Sequence, residues 1–348
     1  MPYSLSLALA AAAVALAVTP VVIARARRAG ALDHPGPRRI HREPVPTLGG
    51  IALVVAVLGV AWGARLLPGP AAALDVKPLL GLTLAALPML ALGVVDDLRG
   101  VTPGAKLLVQ AGSALVLVGF GYGVPLLTNP FDGAFASGAL NVPLTVAWVL
   151  VVMNAINLID GLDGLASGAV MIAAATLWWV GRTHGDFYVM FIAALLIGAT
   201  LGFLVYNFPP ARIFMGDTGS QFLGLTLAAV SLLENRKGTA AVTLLLPIVA
   251  LAVPIADSGI AFGRRLVRGQ PVFHGDSGHI HHRLLRLGLS PRAALLALLA
   301  VCALCGAMAA LLAALPRRAA APLALALAVA LFAAMAWVRE MDRRRGSG

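Results

Sequence analysis

Apolar runs of near twenty residues recur from one end of this 348-residue chain to the other, and nothing else constrains its fold as strongly. A helix needs about 20 apolar residues to cross a bilayer, and backbone polar groups in lipid must be satisfied within their own segment. The runs are continuous and rich in Leu and Ala, without the ~10-residue alternation of an outer-membrane barrel strand. Apolar residues make up 60% of the chain and charged residues only 12%, where a soluble domain carries roughly 25% charge. The expected fold is therefore all-α, a polytopic helical bundle of eleven spans. They lie near residues 3–24, 48–67, 78–95, 104–124, 143–160, 164–182, 187–205, 217–233, 239–259, 292–315 and 320–338. Gly, Pro and charge fill the breaks, and no period of 20–50 residues marks a repeat architecture. Residues 1–348 read as one membrane-embedded domain, with 260–291 as a His- and Arg-bearing cytoplasmic loop within it.

The first run, Tyr3 to Ile23, has no basic leader and is followed by Arg25, Arg27 and Arg28. That order marks a retained span rather than a secretory signal. Cys302 and Cys305 sit in an apolar run without further ligands nearby, which makes them packing residues. Alternate loops hold eighteen and seven Lys/Arg residues, with Arg292 on the border. Basic residues favour the inside, so the N-terminus is expected outside and the C-terminus in the cytoplasm, in a multi-pass protein of the inner (plasma) membrane. Topology and anionic lipid headgroups account for the net charge of +11, and no nucleic acid is needed to explain it.

The unusual residues gather on the cytoplasmic side of this map. Asp96, Asp97, Asp160, Asp163 and Asp217 all fall at cytoplasmic ends of spans. One aspartate there could simply end a helix. Ionisable groups so close to hydrocarbon are costly, however, and five converging on one face point to function. Asp96 and Asp97 close the third span in GVVDDLRGVTPGAKLL. Adjacent carboxylates stay ionised cheaply only beside a cation, and a hard divalent ion such as Mg2+ is the natural partner, because it leaves room for phosphate oxygens. Lys106 follows, placed to meet a phosphate or to neutralise the cluster.

In NAINLIDGLDGLASG, Asn154, Asn157, Asp160 and Asp163 recur every three residues, so on a continuous helix they would drift slowly around one face. Amides and carboxylates in that array can read a nucleobase, hold sugar hydroxyls or orient metal-bound water. The segment NFPPARIFMGDTGS leads into a span at Gly216. Asp217 there could cap the helix start or ligate a metal, with Asn207 and Arg212 as donors suited to a nucleotide. FHGDSGHIHHRLLRLG places His279, His281, His282 and Arg283 within five residues. It lacks the HExxH glutamate and the cysteines of zinc sites, and His with Arg suits a diphosphate better. In DHPGPRRIHREPVPTLGG, Arg38, Arg39, His41 and Arg42 either bind a lipid phosphate or enforce topology; the Pro and Gly spacing favours a shaped, binding loop.

These five segments, in order between Asp33 and Leu287, resemble the polyprenyl-phosphate N-acetylhexosamine-1-phosphate transferases. That membrane family includes the phospho-N-acetylmuramoyl-pentapeptide transferase and the UDP-N-acetylglucosamine:undecaprenyl-phosphate transferases. The HIHHR form, with no further histidine after His282, is closer to the N-acetylglucosamine branch, as are eleven spans. The resemblance implies transfer of N-acetylglucosamine-1-phosphate from UDP-N-acetylglucosamine to undecaprenyl phosphate at the cytoplasmic face, with Mg2+ or Mn2+ as cofactor. UMP would be released, and the product would start a cell-envelope glycan. Another UDP-N-acetylhexosamine, or UDP-N-acetylmuramoyl-pentapeptide, is the alternative donor.

The resemblance further implies Asp96, Asp97, Asp217 and His281 as catalytic, with Asp217, Asp97 and Asn157 on the metal. Asn154, Asn157, Asp160, Asp163 and Asn207 would line the nucleotide and sugar pocket. Lys106, His279, His282, Arg283, Arg38 and Arg42 would meet phosphates. The expected partners are the nucleotide sugar, the lipid phosphate and the bilayer, with a homodimer left open. A transporter for a sugar nucleotide or a lipid-linked sugar is the reading from a different class. It predicts charge at mid-membrane depth, whereas these charges lie at one face.

Overall fold

The computed structural model describes residues 2–36, 43–124, 126–128, 134–234 and 280–315, with isolated positions between 255 and 341. Most of the described chain is helical. After α1 (Pro2–Ala29) comes a two-residue antiparallel pair, β1 (Leu32–Asp33) with β2 (Val45–Pro46). The apolar helix α2 (Gly50–Leu66) is interrupted by one π turn at Val55–Gly59. α3 (Val76–Arg99) and α4 (Pro103–Gly119) follow. A second small antiparallel pair, β3 (Leu126–Thr128) with β4 (Ala134–Ala136), precedes α5 (Asn141–Ile159). The remaining described helices are α6 (Leu165–Thr183), α7 (Phe187–Asn207), α8 (Gly216–Glu234), α9 (Ile280–Arg286) and α10 (Pro291–Ala314).

The expected runs from 3–24 to 217–233, and the one at 292–315, each fall on a helix. Of the other two, 239–259 lies almost wholly outside the described residues, as does most of the loop 260–291, whereas the positions described within 320–338 are all helical. Among the described residues six helices are long and apolar enough to cross a membrane, and α2 and α4 are shorter apolar helices. Leu9, Leu108, Val205 and Leu304 stand more than half exposed, at 60%, 75%, 63% and 61%. So many large apolar side chains facing outward suit a surface covered by lipid rather than water.

α8 is the exception to that pattern. Polar residues fill its first turns, yet every residue from Thr218 to Leu233 is buried. Helices α2, α3, α5, α6 and α7 all pack against it. Missing side chains permit the close approach. A Cβ on Gly50 would lie 2.1 Å from the Gly219 backbone nitrogen, and one on Gly93 2.4 Å from Thr218 Cα. α1 lies along α7 by the same device, since a Cβ on Gly198 or Gly202 would fall on the carbonyl oxygens of Ala8 or Ala12. Cys302 and Cys305 are unpaired and buried on α10, consistent with packing.

One expectation needs correction. Residues 154–163 do not share a helix face, because α5 ends at Ile159 and Asp160 leaves it at φ −74°, ψ 30°. Gly164, at φ +77°, then starts α6 from the left-handed region, which glycine adopts without steric cost. Asp160 and Asp163 therefore stand in a tight connecting loop.

Candidate active site

Four helix ends meet at one end of the bundle: the C-termini of α3 and α5 and the N-termini of α4 and α8. Asp96, near the end of α3, accepts a hydrogen bond from the Val101 N–H at 2.6 Å. That bond holds the turn through Gly100 and starts α4 back along α3. Lys106, in the first turns of α4, donates through Nζ to Asp96 Oδ2 at 2.7 Å and to Asp217 Oδ2 at 2.6 Å. Asn157 Nδ2, near the end of α5, donates to Asp217 Oδ1 at 3.0 Å and to Ser220 Oγ at 2.9 Å.

Asp97 faces another way. Its Oδ1 accepts from the Asp217 N–H at 2.8 Å, and its Oδ2 accepts from the Thr218 hydroxyl at 2.7 Å and the Thr218 N–H at 3.3 Å. The first N–H groups of a helix have no partner within it, and a carboxylate is among the best groups to cap them. The cap of α8 thus comes from α3 rather than from the GDTGS turn itself. Gly216 leaves the space, since a Cβ there would lie 2.3 Å from Asp97 Oδ2.

The surrounding loops are tied to this centre. Asp163 Oδ2 accepts from the Ala211 N–H at 2.9 Å, joining the α5–α6 and α7–α8 loops. Asn207, 2% exposed, accepts from Gly164 N–H and Ser167 Oγ, both at 3.1 Å, and donates to the Ile213 carbonyl at 3.0 Å. It clamps both loops from beneath and presents no open face to a pocket. The stretch Pro46–Gly50 pairs with Phe214 and Met215 through three backbone hydrogen bonds of 2.9–3.0 Å. Leu48 there is held at φ 70°, a conformation costing a non-glycine residue about 1–2 kcal/mol.

Two carboxylates share one ammonium, so the Asp96–Lys106–Asp217 cluster stays net negative before Asp97 is counted. Burial, with the charges of Asp217, Asp97 and Asp163, pushes the Asp160 carboxyl well above its ordinary range. At the loops between α5 and α6 and between α7 and α8 opens a cavity of about 860 Å3, with Arg27, Glu43, Asp163, Arg212 and Arg292 in its walls but none of the cluster's own residues. Its size is that of a nucleotide or drug-sized site. Asp163 is close enough to Asp160 for its charge to act on that carboxyl.

The structure thus brings Asp96, Asp97, Lys106, Asn157 and Asp217 together, with Asp160 and Asp163 at the rim. Asn154 is one turn deeper and bonded to Gln110. Of the three expected metal-side groups, Asn157 reaches the Asp217 carboxylate directly, whereas Asp97 reaches only its backbone. The carboxylate facing Asp217 across Lys106 belongs to Asp96. His281, His282 and Arg283 lie on α9, and Arg38, Arg42 and His279 fall outside the described residues. The sequence motifs do not mark Gln110 and Gln221, and Thr218 and Ser220 stand out in them only as cap candidates in the GDTGS turn. A lone amide inside an apolar run, as in LLVQAGSALV, is the signal that could have marked Gln110.

Comparison with known proteins follows the same outline. Residues 79–235 match the model of glycosyl transferase family 4. Over 283 residues the chain is 38% identical to the probable undecaprenyl-phosphate N-acetylglucosaminyl 1-phosphate transferase of Bacillus subtilis, covering 80% of this chain and 76% of that one. Decaprenyl-phosphate N-acetylglucosaminephosphotransferase of Mycobacterium tuberculosis is 34% identical over 294 residues, 78% of this chain and 73% of the relative. A phospho-N-acetylmuramoyl-pentapeptide-transferase of a Synechococcus species is 34% identical over 278 residues, with 73% and 77% covered. By the matched domain, and by likeness that spans most of both chains, this protein belongs to glycosyl transferase family 4.

Proposed function

We propose that the chain transfers N-acetylglucosamine-1-phosphate from UDP-N-acetylglucosamine to undecaprenyl phosphate at the cytoplasmic face of the plasma membrane, starting a cell-envelope glycan. The observation that carries this reading is the Asp96–Lys106–Asp217–Asn157 cluster at one end of an apolar bundle. The names of the Bacillus and Mycobacterium relatives support the same transfer. In the reaction an oxygen of the lipid phosphate attacks the β-phosphorus of the donor. A new P–O bond joins sugar phosphate to lipid phosphate, and the bond to the bridging oxygen breaks, its electron pair leaving on UMP.

The acidic cluster would repel both phosphates unless a cation lay between, and its hard oxygen donors suit Mg2+ or Mn2+. Among the described residues no three His, Cys, Asp or Glu side chains form a cation site by themselves. Asp217 and Asp96 would be the protein's share, with the Asn157 amide and phosphate oxygens completing it. When bound, such a cation would neutralise charge developing on the diphosphate. Asp97 holds the start of α8 so that Asp217 points at the cluster, and Lys106 keeps Asp96 and Asp217 at one point. Asp163 and Arg212 face the cavity that would take the nucleotide. A phosphate monoester is already largely ionised at neutral pH, so the attacking group needs orientation more than deprotonation.

The test is direct. Purified protein in lipid nanodiscs, given radiolabelled UDP-N-acetylglucosamine, undecaprenyl phosphate and Mg2+, should move label into the lipid fraction and release UMP, and chelation should stop both. Absence of labelled lipid and of UMP would sink the reading. Faster transfer from UDP-N-acetylmuramoyl-pentapeptide would reassign the donor.

A further inference from the structure

One helical turn deeper than the charged cluster, the same three helices meet a second time. Gln110 lies four residues beyond Lys106 on α4, Gln221 four beyond Asp217 on α8, and Asn154 three before Asn157 on α5. Residues three or four apart share a helix face, so the second trio stacks beneath the first. Gln110 Nε2 donates to Gln221 Oε1 at 2.8 Å, and Asn154 Nδ2 donates to Gln110 Oε1 at 2.9 Å. Gln110 is 0% exposed and Gln221 1%. Gln221 Nε2 in this layer, and Ser113 Oγ about one turn further along α4, are buried without a partner among the described residues, and a group left so costs about 1–3 kcal/mol. Leucine at these positions would pack without that cost. What apolar side chains cannot supply is direction: they slide past one another cheaply, whereas a 2.8 Å hydrogen bond is lost within an ångström.

We infer that Gln110, Asn154 and Gln221 are positioning residues, whose amide network sets the register of α4, α5 and α8 and thereby the point where Lys106, Asn157 and Asp217 meet. The layer touches no substrate. It acts through the cluster above, where a misplacement of about 1 Å can cost 10²-fold in rate. The kinetic part of this inference rests on the transferase reading; the placement of Lys106 does not.

The test uses the full chain in nanodiscs, with Gln110→Leu, Gln221→Leu, the double variant and Gln110→Glu. In the single Leu variants kcat should fall about 10–100-fold, with KM for UDP-N-acetylglucosamine changed less than about threefold. The double variant should be no slower than the slower single, because members of one network do not add. Gln110→Glu accepts from Asn154 in either protonation state and should recover most of the rate. A second measurement needs no turnover. Lys77, Lys106 and Lys237 are the only lysines, so labelling by a water-soluble amine reagent can be read peptide by peptide. Lys106 should react slowly in the wild type and in Gln110→Glu, and several-fold faster in the Leu variants. Wild-type kcat in folded Leu variants, additive losses, or unchanged Lys106 labelling would overturn the inference. If the Leu variants do not fold, fast labelling in Gln110→Glu overturns it instead. A wild type that transfers no sugar phosphate defeats the transferase reading alone, and the labelling still decides the register.

Discussion

Lys106 stands where Asp96 and Asp217 would otherwise face each other with nothing between them. Its ammonium and a divalent cation compete for the same oxygens. Lys106→Met should therefore lower transfer by at least about 10²-fold, as expected for a lost positioning contact, and should bind Mn2+ more tightly than the wild type. Titration followed by electron paramagnetic resonance reads that affinity, and weaker binding in the variant would place the cation elsewhere. Asp97 makes a different prediction. Removing its cap from α8 in Asp97→Ala should cost about 0.5–2 kcal/mol of stability, measured by thermal unfolding in detergent. Asp97→Asn, which keeps one acceptor, should lose less. The adjacent pair was legible in the sequence as an acidic motif. Its division of labour was not, because which carboxylate turns toward α8 depends on how α3 rotates against it, and that rotation is fixed by packing at Gly93.

At the level of elements, apolar length alone locates the helices that lie on expected runs, since a spanning segment must satisfy its own backbone. The same criterion says nothing of their order around the bundle. α8, with Asp217, Gln221 and Ser231 along it, is the central helix, and only the contact surfaces of its neighbours reveal this. Glycine spacing holds that information in a form composition hides. Gly50 and Gly112 look alike in the sequence, yet a Cβ on Gly50 would meet α8 backbone and one on Gly112 would meet open space. Gly50→Ala should therefore destabilise by at least about 1–3 kcal/mol through overpacking and disturb the start of α8. Gly112→Ala should be neutral, or stabilising by up to about 1 kcal/mol through helix propensity. Thermal unfolding of the two purified variants separates them, and equal melting would show that the α2–α8 contact is not tight.

For the whole molecule, the proposed reaction requires that a water-soluble nucleotide and a lipid phosphate reach the cluster from the same side. α2 and α6 both begin at the cluster and run away from it, so Leu67 and Arg182 mark the opposite end of the bundle, while Glu43 and Arg212 lie beside the cavity. All four are exposed, and the native cysteines are buried, which permits a direct test of orientation. A membrane-impermeant maleimide applied to spheroplasts should label Leu67→Cys and Arg182→Cys at once. It should label Glu43→Cys and Arg212→Cys only after the membrane is permeabilised. The basic-residue asymmetry that motivates this orientation acts through the loops, whereas the site's location is set by helix ends, so the two are independent and could disagree. The reverse labelling pattern would turn the cluster away from the cytoplasmic nucleotide pool, and no geometry at Asp217 could then rescue the transfer proposed for it.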